Sequence, residues 1–299
     1  MNGHVTISEV SPRDGLQSIG PFVPTETKIA MVRALYEAGV RHMEVGSFVS
    51  PKHVPQMADT AEVLKVAQTL PGLAPTVLVP NRKGFELAMA AGATHIGLFM
   101  SVTEQHNQAN VRRSREESFA DLAEIVRAAP KGVSIRFNLS CCFHCPFEGV
   151  VPESTPIEWA ARVAALDPAM EVCLADTTGN AAPDQVSRVF TAVTAASPNP
   201  FAYHGHDTYG MGVANAAAAY AAGCRVFDGA AGGLGGCPFA PGATGNVATE
   251  DLVWLFNRMG VETGIDWQKL LKAADLAAGV PGGTPGGHLR AVPAARKAA

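Results

Sequence analysis

No apolar run in this 299-residue chain approaches the ~18 residues a membrane-spanning helix needs, so the sequence predicts no span. Nothing in Met1-Asn2-Gly3-His4 has the charged and then apolar make-up of a signal peptide, and a cytoplasmic location is expected. Basic charge is short as well. Lys+Arg 23 against Asp+Glu 27 leaves a formal charge of -4, with no Lys/Arg cluster among aromatics, which argues against nucleic acid as a partner. Six cysteines are too few for a disulfide scaffold. The cluster Cys141-Cys142-Phe143-His144-Cys145 has no second ligand pair about 12–20 residues away, as a structural zinc site would, and reads as buried or pocket-lining thiols. No Gly-x-Gly-x-x-Gly follows the first expected strand, and the glycine run at 232–236 lacks the Gly-Lys-Ser/Thr ending of a phosphate loop.

What is present is an apolar majority suited to a sizeable core, 47% hydrophobic and 17% charged, arranged in a regular alternation. Short β-rich runs are expected as strands at 5–10, 42–46, 75–79, 95–99, 134–139, 171–174, 201–204 and 226–229. Helical periodicity fills the intervals at 25–38, 56–69, 83–91, 116–129, 157–166, 184–196, 211–222 and 248–259. Ser114 and Pro183-Asp184 are start signals, and Gly39, Gly92 and Gly223 are stop signals. Eight such units predict an α/β fold, a TIM (β/α)8 barrel of one domain, with its core at about 4–262. Residues 263–299, helical at 267–277, form an expected C-terminal extension near the barrel mouth.

Barrels of this kind place their chemistry at the C-terminal strand ends, so the polar residues there are the candidates. They are Arg13, Asp14 and Gln17 after strand one, Glu44 at the end of strand two with Ser47 just beyond it, and Asn138 and Ser140 at strand five. Asp176 and Thr177 follow strand six, and His204 and His206 strand seven. The two histidines are two positions apart, so both side chains face one way. Barrel closure brings Asp14 beside them, and a carboxylate with two imidazoles and an amide suits Mg2+ or Mn2+, with zinc open on ligand type alone.

Arg13 keeps its charge and needs a partner when buried. It is an electrophile for an enolate or carboxylate, or one half of a salt bridge to Glu44 or Asp176. Glu44 is a base or the group that orients Arg13. Cys237, among glycines, could donate or accept a proton when its loop closes over a large ligand.

Several segments are specific. Ser11-Pro12-Arg13-Asp14-Gly15-Leu16-Gln17, Ser47-Phe48-Val49-Ser50-Pro51-Lys52, Gly205-His206-Asp207-Thr208-Tyr209-Gly210 and Gly232-Gly233-Leu234-Gly235-Gly236-Cys237-Pro238-Phe239 resemble the signatures of the 3-hydroxy-3-methylglutaryl-CoA lyase family, as does Gly242-Ala243-Thr244-Gly245-Asn246. The resemblance spans nearly the whole chain. It implies Asp14, His204, His206 and Asn246 as ligands of Mg2+ or Mn2+, an acyl-CoA substrate, a homodimer, and cleavage of hydroxymethylglutaryl-CoA to acetyl-CoA and acetoacetate. It also implies Arg13 as the stabiliser of the enolate oxygen, Cys237 as the proton donor to carbon, and His204, Glu44 and Asp176 as candidates for the hydroxyl proton. Arg13, Gln17, Ser47, Asn138, Ser140 and Thr177 are the expected substrate contacts.

Two departures stand out. Gln17-Ser18-Ile19-Gly20 lacks the basic residue many members carry there, and Asn138 replaces an aromatic residue. Both leave room for a related substrate, a citramalyl or branched hydroxyglutaryl thioester. A Claisen-type synthase or aldolase on the same metal site is the other alternative, opposed by the Gly-Gly-Cys-Pro run and the lack of a regulatory C-terminal domain.

Overall fold

The computed structural model of the chain describes residues 3–236 and 245–293. Eight parallel strands close into a barrel: β1 (Thr6–Glu9), β2 (His42–Ser47), β3 (Ala74–Leu78), β4 (His95–Ser101), β5 (Ser134–Ser140), β6 (Glu171–Asp176), β7 (Phe201–Gly205) and β8 (Val226–Gly229). Each pairs with its sequence neighbours, and β1 closes the ring by pairing with β8 in the register Thr6↔Val226 to Glu9↔Gly229. Helices α1 (Thr25–Glu37), α2 (Thr60–Ala67), α3 (Arg82–Ala90), α4 (Glu104–Val111), α5 (Arg115–Ala128), α6 (Ser154–Ala164), α7 (Pro183–Ala196), α8 (Gly212–Ala221) and α9 (Thr249–Arg258) lie between and after them. An appended α10 (Trp267–Ala278) packs against α1 and α9.

Alternation along each strand divides the side chains into two sets. Ile7, Met43, Val77, Ile96, Phe137, Val172, Tyr203 and Phe227 are buried in one core cluster with helix residues such as Leu35, Leu64, Val163, Phe190 and Phe256. The alternate positions Ser8, Glu44, Thr76, Phe99, Asn138, Cys173, His204 and Asp228 border a cavity inside the barrel. The period-two pattern thus puts apolar burial outside the ring and polar chemistry within it.

Local signals explain the element ends. Ser114 caps α5 in a reciprocal box, its hydroxyl accepting from Glu117 N–H while the Glu117 carboxylate accepts from Ser114 N–H. Gly39 closes α1 at φ +106°, and a side chain there would run into the carbonyl of Gly264.

Two expectations change, and the cysteine cluster is as expected. The helix foreseen at 56–69 is a 3-10 turn at Pro55–Met57 followed by α2, because the Gln56 side chain leaves the helix direction to bind the loop after β1. Its Nε2 donates to the Ile19 and Pro21 carbonyls, and its Oε1 accepts from Val23 N–H. Helix α4 was unforeseen, since Glu-Gln-His-Asn-Gln-Ala-Asn-Val has no apolar stripe. The cysteine cluster leads into a short hairpin, His144–Cys145 with Gly149–Val150, and Cys141, Cys142 and Cys145 are buried thiols.

Lys28 is fully buried between Asp59 Oδ1, at 2.7 Å, and the Gln56 carbonyl, so it ties α1 to the segment that carries Gln56. Lys28→Ala leaves a buried carboxylate without its cation and is expected to lower unfolding free energy by about 3–5 kcal/mol. Urea denaturation followed by circular dichroism measures this; a loss under ~1 kcal/mol would show that the pair contributes little.

Candidate metal centre and active site

β1 ends in a single π turn, Ser11–Gly15, closed by a hydrogen bond from Gly15 N–H to the Val10 carbonyl. Buried Glu9 fixes its start by accepting from Ser11 N–H at 2.8 Å. Such turns re-aim side chains within a few residues, and here Arg13 and Asp14 both border the cavity, whose volume is about 220 Å³.

Across the ring, β7 delivers His204, and His206 follows one residue beyond the strand end. The chain returns after β8 to pair with this end: Asp207 N–H donates to the Gly245 carbonyl, Val247 N–H to the Gly205 carbonyl, and His206 bridges Asn246. That return places Asn246 Nδ2 2.8 Å from Asp14 Oδ2. One potential ligand atom from each of Asp14, His204 and His206 lies within 4.8 Å of the others.

The chemistry of these donors fits a divalent cation. Asn246 spends its Nδ2 on Asp14 and on the Leu234 carbonyl, while its buried Oδ1 has no partner among the described residues. His206 Nδ1 is buried and unpartnered in the same way. Burial, with His204 adding to it, pushes the His206 pKa down to about 4, so the ring is neutral and free to ligate. Burial would raise the Asp14 pKa, but Arg13, the two histidines and the Asn246 hydrogen bond overcome it and hold the carboxyl at about 2. A carboxylate, two imidazoles and an amide oxygen therefore meet in one place. The described residues contain no other cluster of three His, Cys, Asp or Glu of this kind.

Arg13 lies between two carboxylates. Its Nε donates to Glu44 Oε2 at 2.6 Å and its Nη1 to Asp14 Oδ1 at 2.6 Å. The salt bridge thus goes to Glu44 and not to Asp176. β2 shifts register between Glu44 and Gly46, directly after the acid. Burial raises the Glu44 pKa, with Arg13 opposing.

Gln17, Ser47, Asn138, Ser140 and Thr177 all border the cavity. Asn138, however, has both ends of its amide engaged: Oδ1 accepts from Arg136 Nε at 2.8 Å, and Nδ2 donates to the Leu98 carbonyl at 3.0 Å. Asp176 lies apart from the cavity, fully buried. Its oxygens accept from the Asn180 and Ala181 N–H groups, and burial lifts its pKa to about 6. Cys237 lies outside the described residues; its neighbour Gly236 borders the cavity. Arg136 and Asp228 also border it and were not foreseen. Arg136 stands two residues before Asn138 on β5, so the parity that selected one selects the other.

A closed parallel barrel with this donor set at its C-terminal mouth defines a (β/α)8 barrel with a candidate metal site. The chain belongs to the HMGL-like family, which it matches over residues 4–277. It is 45% identical over 273 residues to a mitochondrial hydroxymethylglutaryl-CoA lyase of Mus musculus, covering 91% of this chain and 84% of that protein. The crystal structure of hydroxymethylglutaryl-CoA lyase from Pseudomonas aeruginosa superposes with a TM-score of 0.91 at 38% identity, covering 96% of each chain. An HMG-CoA lyase from Acinetobacter baumannii, solved with coenzyme A and 3-methylmalate, gives 0.86 at 39% identity, covering 92% of each.

His206→Ala is expected to weaken Mn2+ binding beyond the roughly tenfold to hundredfold that loss of an outer partner brings. Electron paramagnetic resonance titration of free Mn2+ measures it, and unchanged affinity in the folded variant would remove His206 from the ligand set.

Proposed function

We propose that this enzyme, a lyase of the HMGL-like family, cleaves the C2–C3 bond of 3-hydroxy-3-methylglutaryl-CoA to give acetyl-CoA and acetoacetate, with Mg2+ or Mn2+ as its cofactor. One observation carries the reading: Asp14, His204 and His206 converge within 4.8 Å directly beside Arg13, in a barrel whose relatives are hydroxymethylglutaryl-CoA lyases. A divalent cation bound there would polarise the oxygens of a 3-hydroxyacyl thioester and acidify its hydroxyl. Asp14, His204, His206 and Asn246 would hold it.

The remaining steps fall to side chains. Glu44, ionised against Arg13 and with its proton affinity raised by burial, accepts the hydroxyl proton, because His204 would spend its one lone pair on the cation. Asp176, spent on backbone N–H groups away from the cavity, serves instead to hold the loop between β6 and α7. As C2–C3 breaks, negative charge grows on the thioester oxygen, and Arg13 faces it without reorganisation because Glu44 and Asp14 already fix its plane. Cys237, next in sequence to cavity-lining Gly236, returns a proton to C2 and completes acetyl-CoA. Gln17, Ser47, Ser140 and Thr177 line the same cavity and would position the acyl chain.

The position of Asn138 favours a second reading of the acyl group. It borders the cavity where the family resemblance predicts an aromatic ring, so a citramalyl or larger branched hydroxyglutaryl thioester is the alternative substrate.

No helix among the described residues is long and apolar enough to cross a membrane. The family resemblance supports a homodimer.

The decisive assay is Mn2+-dependent release of acetyl-CoA from a panel of 3-hydroxyacyl thioesters, with hydroxymethylglutaryl-CoA expected to be the best substrate. Release from none of them would overturn the lyase reading. Cys237→Ala should keep Mn2+ affinity and lose about 10²–10⁴-fold in turnover; near-normal turnover would take Cys237 out of the reaction.

A further inference from the structure

Asp228, on β8, is buried at 4% exposure and is claimed by no motif. Its Oδ2 lies 3.0 Å from His204 Nδ1 and 2.6 Å from Arg136 Nη2. We propose that Asp228 is a positioning residue for the metal centre: its carboxylate fixes the tautomer and ring plane of His204, and Arg136 holds that carboxylate in place. The inference rests on the metal reading above.

A carboxylate oxygen only accepts, so the proton shared with it belongs to His204 Nδ1. The lone pair of Nε2 is then free for a cation, the form in which a histidine ligates when its other nitrogen is held by an outer carboxylate. His206 is held differently, by the backbone pairing of its strand end with Asn246, and its Nδ1 meets no side chain among the described residues. Of the two imidazoles, only His204 has its orientation set by an acid.

Arg136 leaves the acid little freedom to turn. Its Nη1 lies 3.0 Å from Glu171 Oε1 on β6 and its Nε 2.8 Å from Asn138 Oδ1 on its own strand, so the guanidinium is pinned from three sides. Neutralising Arg136 does not by itself require Asp228, because Glu171 already pairs with it. A group needed only for charge balance would also have no reason to meet the imidazole at hydrogen-bond distance. The other oxygen, Oδ1, is buried with no partner among the described residues, so the contacts of Asp228 converge on Oδ2.

The test uses the full-length protein stripped of metal and needs no substrate, so it is independent of the proposed cleavage. Asp228→Leu, branched like the carboxylate but without an acceptor, should raise the Kd for Mn2+ about tenfold to a hundredfold. The ¹⁵N imidazole signals of His204 should lose their single Nδ1–H tautomer. Asp228→Asn keeps an acceptor and should recover most of both; Asp228→Ala gives the same reading should the leucine variant not fold. A folded Leu or Ala variant with wild-type Mn2+ affinity and an unchanged tautomer would overturn the proposal, as would equal weakening of the Asn and Leu variants. Absence of Mn2+ binding in the wild type would remove the metal reading and this inference together.

Discussion

Two guanidinium groups sit inside the barrel, and neither can shed its charge. Arg13 spans Glu44 and Asp14, and Arg136 spans Glu171, Asp228 and Asn138. An unpaired charge in such a place would be strongly destabilising, so the carboxylates are obligatory partners whose rotamers are set by planar, forked donors. The arginines thereby order the acids around the cavity. Asp14 stays ionised and points at the histidines because Arg13 holds its other oxygen, and Asp228 meets His204 because Arg136 holds it there. The polar interior is stiff before any ligand arrives, which is the preorganisation that charge development demands.

The period-two geometry of strands made most of this legible in the sequence. His204 and His206 two apart, Glu44 on the inward face of β2 and the Arg13-Asp14 pair are all legible by position once eight βα units are counted. The same parity was available for Arg136 beside Asn138, and for Asp228 in a strand that pairs Ser8↔Asp228 across the barrel seam. Arg136 lies in the first half of β5, where a barrel usually carries branched apolar side chains, and Asp228 stands before the end of β8, so neither follows from position at a strand end.

Other features had no local signal. Asn246 stands 232 residues from Asp14, and only the return of the chain after β8 brings them together. Its place in the proposed ligand set follows from family resemblance and not from periodicity. Helix α4 is polar throughout, and the 3-10 turn at Pro55–Met57 exists because Gln56 satisfies three backbone groups of a distant loop. Both are tertiary outcomes, which propensity within one segment cannot supply.

The glycine run from 232 takes on a sharper meaning from Asn246. Gly232, Gly233 and Gly235 all adopt positive φ, at +68°, +61° and +132°, so glycine is required by backbone conformation alone. The start of the run is anchored: Glu9 accepts from Ala231 N–H at 3.0 Å and Glu250 from Gly232 N–H at 3.1 Å, while the Gly232 carbonyl receives Gly286 N–H. At Gly235 a β-carbon would collide with Asn246 Nδ2, the atom that links Asp14 to the Leu234 carbonyl. A side chain there would displace the amide whose Oδ1 is the free acceptor beside the proposed cation site. As far as Gly236, the glycines therefore let the backbone approach the Asn246 side chain closely, and one asparagine ties the chain that leads to Cys237 to the proposed cation site.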